Sequence, residues 1–181
     1  MATGHNDPQR RARILAAALD LIAEEGVAGV SHRKIAARAR VPLGSMTYHF
    51  TGIDDLLLQA FTGYADHAAT LFEDRLTCAT TADGAREAVT DLVHTLSETP
   101  RRDLVLTQEL HTLAARRAPY RALCVHWMRR SRTLLEHHFP PPTARRLDAL
   151  VRGLTLHRAL DDTPSDRELT REAIARITAG P

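Results

Sequence analysis

The sequence predicts an all-helical protein, and three observations carry that prediction. Apolar residues recur three and four positions apart over most of the chain, which is the period of amphipathic helices. No segment alternates apolar and polar residues as a half-buried strand does. Prolines at 100, 119, 140–142 and 164 divide the chain into helix-length segments. We therefore expect about nine helices, with three in an N-terminal domain over residues 1–52 and the others in a domain over 53–181.

The first predicted helix begins at Asp7 and Pro8 and ends at Gly26. Aspartate is a favoured N-cap, proline is favoured at the first helical position, and glycine often ends a helix in left-handed backbone. Between these ends runs an apolar stripe at amphipathic spacing, which comprises Ile14, Ala17, Ala18, Leu21 and Ile22. We expect this stripe to face the core.

Two short helices follow, over about 32–39 and 42–50, with Ser31 as the first N-cap. The turn between them, at Arg40 and Val41, is too tight to be a linker. Two short helices joined in this way have the geometry of a helix-turn-helix. The residues expected to point inward are Ile35, Ala36, Ala39, Val41, Met46 and Phe50.

The remaining surface of the third helix suits the major groove of DNA. Leu43 and Gly44 open it, and Gly44 lets the backbone approach a base edge because it has no side chain. Ser45 and Thr47 carry hydroxyl groups, and the Thr47 methyl group can meet a thymine methyl group. Two longer side chains with polar tips that reach phosphate oxygens complete the surface, Tyr48 and His49.

Charge adds a weak indication of nucleic-acid binding. Residues 1–52 carry seven Arg and Lys against four Asp and Glu, while 53–181 carry seventeen against eighteen. Arg33 and Lys34 begin the second helix, where such a helix crosses the DNA backbone. A basic surface that is merely solvated, on a plain helical hairpin, is an equal alternative from these residues alone.

A long fourth helix begins near Ile53 and runs to the mid-70s, and a loop over 80–84 follows it. Its expected inner side comprises Leu56, Leu57, Ala60, Phe61, Tyr64, Ala68 and Leu71. The five further helices are expected at about 84–98, 101–117, 119–138, 143–160 and 165–178.

The stretch from Ile14 to Leu58 resembles the DNA-binding domain of the TetR family. Three blocks carry the resemblance, ILAAALDLIAEEGVAGVSHRKIAARA, VPLGSMTYHF and IDDLLLQAF. It implies a transcriptional regulator, usually a repressor, that binds a palindromic operator in double-stranded DNA as a homodimer and answers to a small-molecule effector. By position, the resemblance implies DNA contacts from Ser31, His32, Arg33, Leu43, Gly44, Ser45, Thr47, Tyr48 and His49.

The sequence departs from the family pattern at three places. Arg40 stands where the turn usually has glycine, so Arg40 must adopt an awkward backbone or the turn is remodelled. Thr47 replaces a usual aromatic residue. Gly52 and Ile53 replace a usual Ser-Lys pair, which removes one expected phosphate contact and an expected helix cap.

The resemblance implies that the last two helices, 143–160 and 165–178, pair with their copies in a dimer. Their apolar positions are Leu147, Leu150, Val151, Leu154 and Ala159, then Ile174 and Ile177, with Gly153 allowing close approach. The alternative is that these residues only cover the core of their own chain.

An effector pocket is expected between helices four to eight. The candidate lining residues are Phe61, Tyr64, Gln108, Glu109, His111, Trp127, Met128 and His157. Glu109 stands out among them because a buried carboxylate needs a partner. An Arg or His partner would leave little role for a cationic ligand.

We expect no enzyme, no cofactor and no metal site. Cys124 and His126 lie on opposite flanks of one helix, and His137 and His138 have no further ligand at helical spacing. There is no glycine-rich phosphate loop. No apolar run is long enough for a membrane span, and the start of the chain is not a secretory signal. With two cysteines and no CxxC motif, this indicates a cytoplasmic protein.

One alternative of a different class stays open. The same helical dimer could bind a ligand or a protein partner without binding DNA. Binding to the DNA upstream of its own gene would distinguish the two.

Overall fold

The computed structural model describes residues 9–97, 101–162 and 166–179, and all regular structure within them is helical. This confirms the predicted fold class. The described helices are α1 (Arg10–Glu25), α2 (His32–Ala39), α3 (Gly44–His49), α4 (Ile53–Leu76), α5 (Ala82–Ser97), α6 (Arg101–Arg116), α7 (Ala118–Glu136), α8 (Pro141–Leu160) and α9 (Arg167–Thr178), with a short 3-10 turn at Val27–Gly29.

Helix α1 buries the predicted stripe and ends at Gly26, whose N–H donates to the Ile22 carbonyl at 2.9 Å. The backbone of Gly26 has a positive φ of 71°, as expected, but its ψ of 169° is extended rather than left-handed helical. Only glycine adopts this combination readily. The predicted start at Asp7 and Pro8 lies outside the described residues.

Helix α2 begins at its predicted cap, since the Ser31 hydroxyl accepts a hydrogen bond from the Lys34 N–H at 3.4 Å. It ends at Arg40, which adopts left-handed backbone with φ 53° and ψ 48°. The Val41 N–H donates to the Ala36 carbonyl at 3.0 Å, and the Arg40 N–H donates to the carbonyl of residue 37. This is the ending that glycine usually supplies. Arginine has a Cβ, so we expect the turn to cost about 1–2 kcal/mol.

The start of helix α4 has a side-chain cap, although the family's usual capping residue is missing from this sequence. The Asp55 carboxylate accepts the Thr51 N–H at 2.9 Å and the Gln59 amide at 2.7 Å. The hydrogen bond from Gln59, and then that from Thr51, lower the pKa of Asp55. Asp55, in the first turn of α4, therefore compensates for the cap that is lost where Gly52 and Ile53 replace the usual Ser-Lys pair.

The inner side of α4 follows the prediction in its first half only. Leu56, Leu57, Ala60 and Phe61 are buried, but Leu71 is exposed and was predicted wrongly. In the second half the buried positions are Ala65, Ala69, Phe72 and Leu76. Apolar positions spaced alternately three and four apart repeat every 3.5 residues and drift around a helix that has 3.6 residues per turn. One such stripe therefore cannot be extended over six turns.

The chain divides into two compact units. The first comprises Met1–Tyr64 and Val105–Arg121, and the second comprises Ala65–Leu104 and Ala122–Pro181. The chain passes between them within α4, α6 and α7 rather than in loops. A functional division at residue 52 stays a prediction, because the compact unit that holds α1 to α3 also includes later segments.

The core of the second unit contains the apolar residues that were predicted for a dimer interface. Leu147, Val151 and Ile174 are buried there, and Leu150, Leu154 and Ile177 pack against it. Leu147, Val151 and Ile174 cover the core of their own chain, so their assignment to an interface was wrong. For the partly buried Leu150, Leu154 and Ile177 it stays a prediction. Two predicted interface residues are exposed on α8, Gly153 and Ala159.

Candidate nucleic-acid interface

Helix α3 presents an exposed surface above a closed core. Met46 and Phe50 are buried beneath it, as predicted. Leu43, Gly44 and Thr47 are exposed, and 82% of Tyr48 is accessible to solvent. A Cβ added to Gly44 would meet no atom within 4 Å, so this side of the helix backbone is open to a ligand.

Ser45 does not belong to this surface. Only 8% of it is exposed, so the prediction that it lies on the outer side of the helix was wrong. Ser45 and Met46 are neighbours that both turn inward, and α3 is too short for its apolar spacing to establish the angle of each residue. His49 is half-buried, and its ring stands edge-on to that of Tyr48 with the centres 4.9 Å apart.

Thr47 uses its hydroxyl proton within its own helix. Its Oγ1 donates to the Gly44 carbonyl at 3.1 Å. The oxygen lone pairs and the methyl group are therefore what Thr47 can offer to a base edge.

The start of α2 offers one free cation. The Ser31 hydroxyl is used as the cap, and Nε2 of the half-buried His32 is itself buried without a partner. Arg33 is exposed, and its side chain has no hydrogen bond or ion pair within residues 9–97, 101–162 and 166–179. Of the three residues predicted here, Arg33 is the one whose charged group is available.

Two other basic residues of α2 bind to α1. The Lys34 ammonium group donates to the Glu25 carboxylate and, at 2.9 Å, to the Gly29 carbonyl. Arg38 donates to both carboxylate oxygens of Glu24, and these hydrogen bonds lower the pKa of Glu24. Lys34 therefore joins α2 to α1, and its predicted place beside the DNA backbone stays a prediction.

Five of the predicted effector-binding residues lie in the first unit. Phe61 is fully buried, with its ring edge-on to Tyr120 at 6.0 Å. The Tyr64 hydroxyl lies 2.7 Å from that of Thr107. Gln108 is exposed and His111 is half-buried.

Glu109 lies against the end of α1 rather than in a closed pocket. A Cβ added to Gly26 would come within 2.9 Å of Oε1 of Glu109. This carboxylate is the end of a flexible side chain and could move aside, so the backbone angle is what requires glycine at position 26.

The other three predicted effector-binding residues lie in the second unit. Trp127 and Met128 are half-buried on α7, and His157 is exposed on α8. The Arg152 guanidinium group stands over the Trp127 ring, 4.8 Å from its centre.

A buried carboxylate that sequence analysis missed lies beside them. Asp148 accepts from Nε of Arg132 at 2.9 Å and from Nε of Arg152 at 3.3 Å. The four-residue spacing of Asp148 and Arg152 on one helix was a visible signal for this pair. Two half-buried cations face one anion, which leaves the cluster with a positive charge.

The second unit also has an open cavity of about 250 Å³ on α4 and α7. Its lining contains none of the predicted residues and comprises Glu73, His126, Arg129, Arg130, Thr133 and Leu134. Arg130 donates to Glu73 through Nε at 3.1 Å and Nη2 at 2.7 Å, so the central charges neutralise each other.

Within the described part of the chain, no three His, Cys, Asp or Glu residues are grouped so that they could hold a metal ion. The same residues include no helix that is long and apolar enough to cross a membrane. Both cysteines are free; Cys78 is exposed, and burial raises the pKa of the Cys124 thiol.

An exposed α3, joined by a tight turn to an α2 that packs on α1, defines a helix-turn-helix protein of the DNA-binding class. Two family models match the chain. The model for bacterial regulatory proteins of the tetR family matches residues 14–60, and that for tetracyclin repressor-like C-terminal domains matches residues 80–180. The chain belongs to the TetR family and is a transcriptional regulator.

Solved structures agree over almost the whole chain. SCO7518 of Streptomyces coelicolor A3(2), a candidate transcriptional regulator, is 66% identical, with a TM-score of 0.90 over 96% of this chain and 100% of its own. SCO1917, a TetR-family member from S. coelicolor A3, is 38% identical, with a TM-score of 0.76 over 94% and 99%.

A third similar protein is the multidrug-binding protein EbrR, solved with ethidium. It is 36% identical to this chain, with a TM-score of 0.76 over 95% of this chain and 99% of its own. No curated protein sequence matches significantly.

Proposed function

We propose that this regulator is a ligand-responsive repressor that binds a palindromic operator as a homodimer. The exposed surface of α3 is the observation that carries the proposal. Leu43, Gly44, Thr47 and Tyr48 stand out from a helix whose other side is closed by the core. Such a helix enters the major groove, so these four residues contact base edges and the walls of the groove. The site of action is then the bacterial cytoplasm.

The remaining predicted contacts have different parts in this proposal. Arg33 binds a phosphate, because its charge is exposed and has no partner among the residues that the structure describes. Ser31 and His32 shape the start of α2, and His49 orients Tyr48. Ser45 supports α3 from beneath and does not contact a base.

The dimer is proposed to use the outer sides of α8 and α9. Ala149, Gly153 and Leu160 lie along one exposed side of α8, and Leu160 is 70% exposed. On α9, Leu169 is 64% exposed. Large apolar side chains exposed next to small residues suit close helix packing with a second copy, since a two-fold interface brings the same surface from both chains.

We propose an aromatic effector that contacts Trp127. EbrR binds the aromatic dyes ethidium, malachite green and proflavin. In this chain Asp148 is already neutralised by two arginines, so the cluster beside Trp127 favours a neutral or anionic aromatic molecule over a cationic one. Calorimetric titration with salicylate and with proflavin tests this preference; tighter binding of proflavin would contradict it.

The decisive experiment is DNA binding by the full chain. We expect it to retard DNA from upstream of its own gene, and selection from random DNA should return an inverted repeat. Binding should weaken steeply with salt, because phosphate contacts release counterions. A single asymmetric motif would contradict the dimeric arrangement. No binding to any DNA would favour a dimer that binds only a ligand or a protein.

A further inference from the structure

Four basic side chains lie on α2 or directly after it, and the structure divides them into two pairs. Lys34 and Arg38 are held by ion pairs with α1. Arg33 and Arg40 are exposed, and neither guanidinium group has an acceptor within the residues that the structure describes. Only the second pair has charge available for another molecule.

Arg40 is unusual in its backbone as well. It is the one non-glycine residue with positive φ in the described ranges 9–97, 101–162 and 166–179. Glycine would adopt this turn without strain, and no contact of the Arg40 side chain within the described residues offsets the strain. Residues with strained backbone cluster at functional sites, where their side chains can contact a ligand.

The position of Arg40 indicates the ligand. It lies four residues before Gly44, the first residue of α3, and the first residues of such a helix enter the groove. Arg33 lies seven residues earlier, which is about 10 Å along a helix. Phosphates line both walls of the groove that α3 enters.

We propose that Arg40 binds a phosphate of the operator backbone, as a second phosphate contact at the opposite end of α2 from Arg33. This inference rests on the proposed DNA binding. A guanidinium group suits a phosphate because its donors form a planar fork. Such contacts position a protein on DNA without distinguishing sequences.

Arg40→Gly tests the proposal because it should make the protein more stable and its DNA binding weaker. Relief of the left-handed backbone should raise Tm by about 2–4 °C. Loss of one phosphate contact in each subunit, two per dimer, should weaken binding about 60-fold at 0.1 M salt, equally on matched and mismatched operators, and should reduce the salt slope by about 1.8. Fluorescence anisotropy at several salt concentrations measures both effects.

Two further variants separate charge from conformation. Arg40→Lys keeps the charge and the strain, so it should retain the salt slope and the lower Tm of the native chain. Arg129→Ala removes an exposed arginine of α7 whose side chain has no partner in the described part of the chain. It should leave operator binding within twofold of the native value.

Native affinity and slope in Arg40→Gly would overturn the proposal, and so would an equal loss in Arg129→Ala. Absence of DNA binding by the native chain would instead refute the proposed function.

Discussion

At the scale of single residues, sequence patterns predicted most of the exposed side chains of α3. They did not predict every buried or ion-paired side chain of the helix-turn-helix. Gly44, Thr47 and Tyr48 are exposed as expected, because apolar spacing left them outside the core. Ser45 is buried, and Lys34 is paired with Glu25. Neither could be predicted, since both depend on the angle at which short helices meet and on partners in another helix.

Gly44→Ala should preserve the fold and weaken operator binding. There is open space around the Gly44 Cα in the free protein, so an added methyl group meets nothing and Tm should not fall. The same methyl group would separate the helix backbone from base edges in the groove. We expect at least a tenfold loss of affinity by anisotropy, with an unchanged melting curve. Unchanged affinity would mean that α3 does not approach DNA at this residue.

Thr47→Ser and Thr47→Val should differ in their affinity for the operator, because the hydroxyl proton of Thr47 is already donated to the Gly44 carbonyl. The methyl group is then the main group that Thr47 offers to a base. Thr47→Ser should lose about 0.8 kcal/mol, or fourfold in affinity, at one thymine per half-site. Thr47→Val should stay close to the native protein. Binding to operators with and without that thymine measures the difference, and the reverse order would assign recognition to the oxygen.

At the scale of helices, the sequence predicted that each helix exists. It did not predict which side of each helix packs against a neighbouring helix. The limits of α2 follow from Ser31 and from the end of its apolar spacing. On α8 the predicted interface positions Leu147 and Val151 serve the chain's own core. A stripe of this kind looks the same in sequence whether it covers its own chain or a second copy, so only the packing of α5 and α9 against α8 distinguishes the two.

Gly153→Arg should convert the proposed dimer into monomers. A side chain at Gly153 meets nothing in its own chain, so the monomer should fold. In a dimer packed through this side of α8, the added side chain would hold the two helices apart. Sedimentation equilibrium at micromolar concentration measures the change.

Gly63→Arg is the matched control, since Gly63 is also an exposed helical glycine with open space around it. It should leave the association state unchanged. A dimeric Gly153→Arg protein would place the interface elsewhere. Leu154→Arg is a poorer choice, because Leu154 packs against its own core and a charge there would also disturb folding.

At the scale of the whole molecule, the two cysteines report on the second unit. Cys78 is exposed, whereas Cys124 is buried and its thiol pKa is raised by burial. A raised pKa leaves less thiolate at neutral pH, and burial blocks access, so Cys124 should react slowly. A thiol reagent at pH 7.5 should modify one cysteine quickly and the second only as the protein unfolds.

Cys78→Ser is the control for that assignment, because it should abolish the fast phase and keep the slow one. Two fast phases in the native chain would contradict the packing around Cys124. The rate of the slow phase in denaturant then measures opening of the second unit.

Residues 105–121 belong to the same compact unit as residues 1–64, and this affects where a chimaeric regulator can be joined. Glu109 fits against Gly26, Thr107 meets Tyr64, and Arg117 forms an ion pair with Asp54. A fusion made at residue 52 would transplant α1 to α3 without these supports. A graft of new operator preference onto another effector module should carry residues 105–121 together with 1–64, or confine the exchange to the exposed residues of α3.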